Sequence, residues 1–207
     1  MNATLAQRSQ ALDWAVASRP QPGQSVSGDL HFVTTWDGGA LAAAIDGLGH
    51  GEEAALAARR AAETLEAHAQ EPLTAILRHC HSALRDTRGV AMTLVALDAG
   101  AGHLSVLGVG NVETAIFKLN GRGPVKCESV MLRCGVVGYQ LPSLQPDSIT
   151  VWPGDVVVFA TDGVREDFAD LVNPTDPLQQ LVDNIMARKF RGTDDGLVLA
   201  CKYTGRT

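Results

Sequence analysis

No CxxC pair, no cluster of basic residues and no apolar run near the ~18–20 residues of a membrane span occurs in the chain. Each absence excludes something. Lys and Arg number 17 against 23 Asp and Glu, a net charge of −6, and no patch gathers the positive ones. Nucleic acid is not an expected partner, and a membrane is not an expected location. The opening MNATLAQRSQALDW has no basic stretch leading into an apolar one, so no secretory signal is expected. The four cysteines, Cys80, Cys127, Cys134 and Cys201, are scattered. Cys127 and Cys134 have neither a nearby His nor a second pair to complete a zinc site. All four read as reduced thiols in a cytoplasmic protein. Internal repeats, low-complexity segments and long linkers are missing too. With 207 residues, 45% of them hydrophobic, the expectation is one domain over 1–207 with one sizeable core.

What is present centres on ALAAAIDGLGHGEEAALAARRAAETL, residues 40–65. Ala40 to Ile45 is short and apolar enough for a buried strand. Asp46 follows, then Gly47, Gly49 and Gly51, then a helix-forming run with Glu52 and Glu53 in its first turn. The order is strand, acidic glycine turn, helix. Glycines there let a ligand or metal approach the main chain closely. Three readings stay open for this turn. A dinucleotide-binding loop shares the context, but expects a strand with an acidic end about 20 residues on; Glu63 and Glu66 lie at that distance inside the helix. A structural tight turn explains the glycines and not the acid. A metal site explains both.

The remaining chain divides into runs of strands and a pair of helices. ALDWAVAS (11–18) reads as a first strand and RPQPGQSVS (19–27) as a turn-rich connection. DLHFVTTW begins at Asp29, and Asp37, Gly38 and Gly39 make a hairpin turn. Helices are expected over 52–69 and 73–87, the second opened by Pro72, with Leu56, Leu65, Ile76, Leu77 and Leu84 on buried faces. Strands 90–97 and 103–109 form a pair that 113–119 continues as a meander; 119–124 is a turn and 135–146 irregular. Strands 148–152 and 155–161 read as a hairpin about Pro153 and Gly154. A helix over 177–189 and a strand over 196–203 close the chain. Antiparallel runs with adjacent helices define α+β rather than alternating α/β.

Most acids fall on exposed helix faces or in turns. Asp29, Asp46, Asp162 and the pair Asp194–Asp195 differ, each ending an apolar strand or adjoining a glycine. Gathered carboxylates repel and raise one another's pKa unless cations neutralise them. All-oxygen ligands select hard ions such as magnesium or manganese. Two ions sharing a carboxylate can activate a water against a phosphorus atom.

The ordered motifs SGD, DGLGHG, GVGN, ATDGV and DDGLVL resemble the PPM family of metal-dependent protein serine/threonine phosphatases, in particular its compact bacterial SpoIIE- and RsbX-like branch. The resemblance runs from about Asp13 to Tyr203. It implies a four-layer α-β-β-α sandwich of two antiparallel sheets flanked by helices. It implies two Mn2+ or Mg2+ ions, with Asp46 bridging them, the Gly47 carbonyl ligating one, and Asp29 in that ion's shell largely through water. Asp162 and Asp194 would hold the other ion. Asp46, Asp162 and Asp194 are thus the implied catalytic residues. Asp195 ranks below Asp194, and Gly108 to Asn111 takes a structural role. The larger members carry a general-acid His two residues after the bridging Asp. Here the nearest is His50, four residues on, a secondary candidate. Arg19 does not match the family's phosphate-gripping arginine and reads as a surface residue. The implied activity is hydrolysis of phosphoserine or phosphothreonine, the implied substrates phosphorylated STAS-domain proteins of a stressosome or anti-sigma pathway. A non-catalytic binding module of the same fold is the alternative, and a dinucleotide-dependent oxidoreductase a distant third.

Overall fold

The computed structural model describes residues 7–8, 11–119 and 126–205. In chain order the strands are β1 (Gln7–Arg8), β2 (Leu12–Arg19), β3 (Asp29–Trp36) and β4 (Gly39–Gly47), followed by helices α1 (Glu52–His68) and α2 (Leu73–Ala83). Then come β5 (Val90–Asp98), β6 (His103–Val109), β7 (Glu113–Lys118), β8 (Lys126–Ser129), β9 (Leu132–Arg133), β10 (Asp147–Thr150) and β11 (Val156–Ala160). A 3-10 turn (Glu166–Leu171), α3 (Leu178–Lys189) and β12 (Gly196–Tyr203) complete the order. One sheet runs β1-β2-β12-β11-β7-β8, the other β10-β6-β5-β4-β3, with β9 parallel to β6 as the exception to antiparallel pairing. The α+β class and the helix-flanked pair of sheets are as the sequence leads one to expect.

Side-chain parity explains the layering. In β4, Leu41, Ala43 and Ile45 join a cluster with Ala57, Ala58, Ala61 and Leu65 of α1 and Ile76 and Leu77 of α2. Ala40, Ala42 and Ala44 point the other way, into the layer between the sheets. A central strand buried on both faces has to be apolar throughout, which is why this run shows no alternation. On the far side, Val156, Val158 and Ala160 of β11 pack under Leu181, Val182 and Ile185 of α3. The interior is therefore three apolar layers between four layers of structure, rather than one core.

Four expectations change. Strands β10 and β11 are no hairpin: β10 pairs with β6 and β11 with β12 and β7, in different sheets. The buried Asp155 carboxylate holds that crossing, accepting the amides of Trp152 at 2.9 Å and Leu119 at 2.7 Å. Nor does β7 continue the meander; after Gly110, at φ +98° and with no room for a Cβ against Ala91, the chain passes to the other sheet. Helix α2 stops at Ala83, short of residue 87, because the Thr87 hydroxyl donates to the Leu84 carbonyl at 2.7 Å and turns the chain. Leu56 is 49% exposed, since α1 meets the sheet through alanines. Strands β8 and β9, the latter next to the segment read as irregular, are too short to carry a periodicity. The turn placed at 119–124 lies outside the described residues beyond Leu119.

These two leucines of α1 give a direct comparison. Leu65→Ala, in a fully buried position, should lower unfolding free energy by about 2–5 kcal/mol in urea denaturation. Leu56→Ala should change it by about 0.5 kcal/mol or less. Equal effects would mean that α1 is rotated from the packing described.

Candidate metal centre

The same parity that divides the cores assembles the acids. Asp29 begins β3 directly opposite Asp46 near the end of β4. Residue 46 continues the Ala40, Ala42, Ala44 face, so both carboxylates lie at the open rim of the layer between the sheets. From the other sheet, β11 ends at Ala160 and Thr161 and Asp162 follow; Asp194 and Asp195 immediately precede β12. Asp195 has the parity of Leu197 and Leu199, which line the inter-sheet layer. Four strand ends thus deliver five acids to one rim.

The turns close tightly there. Gly163 has no room for a Cβ against the carbonyl of Asp195, and Gly47 none against the carbonyl of Ala54 in α1. Gly49 (φ +85°) and Gly51 (φ +77°) adopt the left-handed conformations that swing the chain from β4 into α1. The Gly47 amide donates to the Gly28 carbonyl at 3.1 Å, joining the SGD and DGLGHG turns.

Not all five carboxylates are equally available. Asp195, 2% exposed, accepts the amides of Gln21 at 2.8 Å and Gly28 at 2.7 Å, one on each oxygen. Its role is to fasten the SGD turn to the rim. Asp194 is half-buried and, among the described residues, accepts only the neighbouring Asp195 amide, at 2.8 Å. Asp29 accepts the Thr161 hydroxyl at 2.7 Å, and that hydroxyl accepts the Leu197 amide at 2.8 Å. Asp162 is exposed and accepts the Asn111 side-chain amide at 2.6 Å. Asp46 accepts no hydrogen bond among the described residues.

Electrostatics follow from this arrangement. Burial first, then the charges of Asp29, Asp162, Asp194 and Asp195, push the Asp46 carboxyl up from 3.8 to about 9. Burial also raises Asp29, to about 7, against the lowering effect of the Thr161 bond. Asp162 is raised by burial and Asp194, with Arg191 and Asn111 opposing. A rim of carboxylates so short of positive charge fits a divalent cation by its donor chemistry, all oxygen, with the central member unbonded.

The sequence-derived candidates Asp29, Asp46, Gly47, Asp162, Asp194 and Asp195 all lie at this rim. His50 is exposed on the glycine turn. Arg19 is exposed, its guanidinium 5.9 Å from the Phe190 ring centroid. Three contributors escaped the sequence reading. Asn111 of GVGN does more than build a turn, since it orients Asp162. Thr161 holds Asp29 from the opposite sheet. Arg191 donates its amide to Gly163 at 2.8 Å and lines a cleft of about 90 Å3 with Asn111 and Asp162. Thr161 is the threonine of ATDG itself and Arg191 lies two residues before TDDG, the signals by which sequence could have found them. The dinucleotide reading is not supported, because α1 is followed by α2 and the neighbouring strands are antiparallel.

Fold and rim together define the class, a helix-flanked two-sheet sandwich of the PP2C type. The chain belongs to the SpoIIE family: the model of Stage II sporulation protein E matches residues 37–203. It is 26% identical over 99 residues to the phosphoserine phosphatase RsbX of Bacillus subtilis (strain 168), a match covering 48% of this chain and 50% of RsbX. The chain thus matches about half the length of that curated relative. A solved chain from work on the bacterial stressosome is 29% identical, with a TM-score of 0.84 over 92% of this chain and 99% of that one. A crystal structure of RsbX in complex with magnesium has a TM-score of 0.86 at 18% identity, covering 97% of this chain and 100% of that one.

The two adjacent acids should separate experimentally. With chelator present, Asp195→Ala leaves two backbone amides without an acceptor and should cost about 1–3 kcal/mol in urea denaturation. Asp194→Ala should cost distinctly less. Wild-type stability in Asp195→Ala would remove its structural role.

Proposed function

We propose that this chain is a divalent-metal-dependent protein serine/threonine phosphatase acting on phosphorylated STAS-domain proteins of a stressosome or anti-sigma pathway. The observation that carries the reading is the rim itself, with Asp29 and Asp46 opposed in register and Asp162 and Asp194 brought over from the second sheet. Like charges directly opposite on paired strands destabilise a sheet, so the arrangement makes sense with cations present. Two ions, magnesium or manganese, would be held by Asp46 shared between them, Asp29 and the Gly47 carbonyl on one side, and Asp162 and Asp194 on the other. Such ions, when bound, neutralise the carboxylates, polarise a phosphoryl oxygen and acidify water.

The chain's own residues do the positioning. Asn111 fixes the rotamer of Asp162, Thr161 that of Asp29, and Asp195 the backbone that carries both turns. Arg191 beside Asp162, and Arg88, whose side chain lies over Gly49 and pairs with Glu53, are the cations placed to meet a phosphate dianion. The exposed Asp162 edge admits a phosphorylated segment of a folded partner. His50 is exposed on the glycine turn, four residues after Asp46, and is read as a loop residue rather than as the general acid. Two relatives support the substrate class, one a phosphoserine phosphatase and the other solved in work on the bacterial stressosome. A cytoplasmic location belongs to the same proposal; among the described residues no helix is long and apolar enough to cross a membrane.

Phosphate release from a phosphoserine-bearing STAS-domain protein tests this. Activity should vanish in excess chelator and return with manganese or magnesium. Asp46→Asn should slow it at least ~100-fold, since the shared ligand positions everything else. Full activity in chelator, or release by Asp46→Asn at the wild-type rate, would refute the mechanism. A folded, metal-loaded protein that binds the phosphoprotein without turnover would establish the binding-module alternative.

A further inference from the structure

Away from the acidic rim, the α1–α2 hairpin gathers a second set of donors of different chemistry. His68 is the last residue of α1, Glu71 lies in the short connection, and His79 occupies the second turn of α2. Pro72 opens α2 immediately after Glu71, so the connection has little freedom. His68 Nδ1 lies 2.7 Å from Glu71 Oε1, and His79 Nε2 lies 3.1 Å from Glu71 Oε2. The two imidazoles stack with centroids 3.9 Å apart and planes 8° from parallel. One potential ligand atom from each residue falls within 4.8 Å of the others.

An ordinary surface ion pair does not explain this geometry. Exposed carboxylate pairs contribute little and leave long side chains free to move. Here one carboxylate divides its two oxygens between two rings. Two rings in parallel contact would repel if both were cationic. A carboxylate oxygen accepts from a ring N–H, so each ring turns toward Glu71 a nitrogen whose proton a metal ion could replace. Bonds of about 2.0–2.2 Å to nitrogen and oxygen put tetrahedral donors roughly 3.3 Å apart. The separations of 2.7 and 3.1 Å to Glu71, one to each carboxylate oxygen, are both somewhat shorter than that, and because the stacked rings lie in separate parallel planes, both must turn for their nitrogens to converge on one ion.

We propose that His68, Glu71 and His79 form a second metal site, selective for a borderline transition ion such as zinc. Two imidazoles and one carboxylate favour zinc or its neighbours over the hard ions suited to an all-oxygen rim. Three protein ligands leave a fourth position for water or an outside donor. Side-chain exposures of 30%, 42% and 45% for His68, Glu71 and His79 leave the site open to solvent. An ion there ties the end of α1 to α2, the layer that covers the β4–β5 face.

Zinc uptake measured by equilibrium dialysis, with magnesium saturating the rim, tests the site on the full chain. Wild type should retain an extra zinc equivalent that His79→Ala and His68→Ala both lose. Zinc should also raise the melting temperature of wild type but not of either variant. Asp46→Asn should keep the extra equivalent, which separates this site from the rim. Because both histidines are partly exposed, the variants should retain the wild-type circular dichroism. Should either fail to fold, Glu71→Gln, which keeps the shape but replaces one accepting oxygen by a donor and removes the anionic ligand, serves in its place. The same zinc uptake and melting shift in wild type and the ligand variants would overturn the proposal.

Discussion

The register between β3 and β4 places Asp29 opposite Asp46, and most of the rim follows from that one pairing. Two carboxylates on adjacent, directly opposed strand positions repel at close range. Burial strengthens the effect, because it penalises the ionised form of each. A shift of one residue in register would turn Asp29 toward the helices and separate the pair. The hairpin at Asp37 and Gly38 holds the register from the far end, and the apolar faces of β4 fix which side is which.

Around that pair the supports are mostly neutral, with the Arg191 charge beside Asp162 the exception. Hydroxyl and amide groups hold the outer acids: Thr161 on Asp29, Asn111 on Asp162, the Gln21 and Gly28 amides on Asp195. Each support comes from a different part of the chain, so the rim exists only when both sheets are in place. Glycines at 47 and 163 permit close backbone-to-backbone contact, and Gly28 leaves room for the Cβ of Ala54. The result is a site whose carboxylates oppose one another in the folded form, a conflict that bound cations would relieve. That is a physical reason for metal dependence which does not rest on family membership.

Much of this was legible in the sequence, and the failures have identifiable causes. Acids at the ends of apolar strands stood out because a strand end is defined by composition nearby. The α+β class followed from antiparallel runs flanking a helix pair, and the two-sheet sandwich from the family resemblance carried by the ordered motifs. What could not be read was which strand joins which sheet. Residues 148–161 have the pattern of a hairpin, yet Asp155 binds amides on both sides of the crossing and sends β11 to the other sheet. Leu56 resembles a core residue by type, but the alanines beside it are what a close helix–sheet contact requires. Asn111 and Thr161 are ordinary residues in sequence and gain their roles only through partners 51 and 132 positions away. The His68–Glu71–His79 group escaped for the same reason, its members being spread over a helix end, a turn and a second helix.

The central claim is that the rim's carboxylates are held in conflict and that divalent cations resolve it. Thermal melting of wild type and Asp46→Asn across pH, in chelator and in manganese, tests it most directly. The folded Asp46 carboxyl, at about 9, lies above its ordinary 3.8. A raised group contributes stability that is complete below the ordinary value and is lost as pH rises toward the folded one. In chelator, wild type should therefore lose stability progressively between about pH 4 and about pH 9, and Asp46→Asn should lose less. Manganese should restore wild type increasingly as pH rises, because deprotonation of the rim favours the ion, and should do little for the variant. Identical pH profiles for the two proteins in chelator, with equal stabilisation by manganese, would contradict the account.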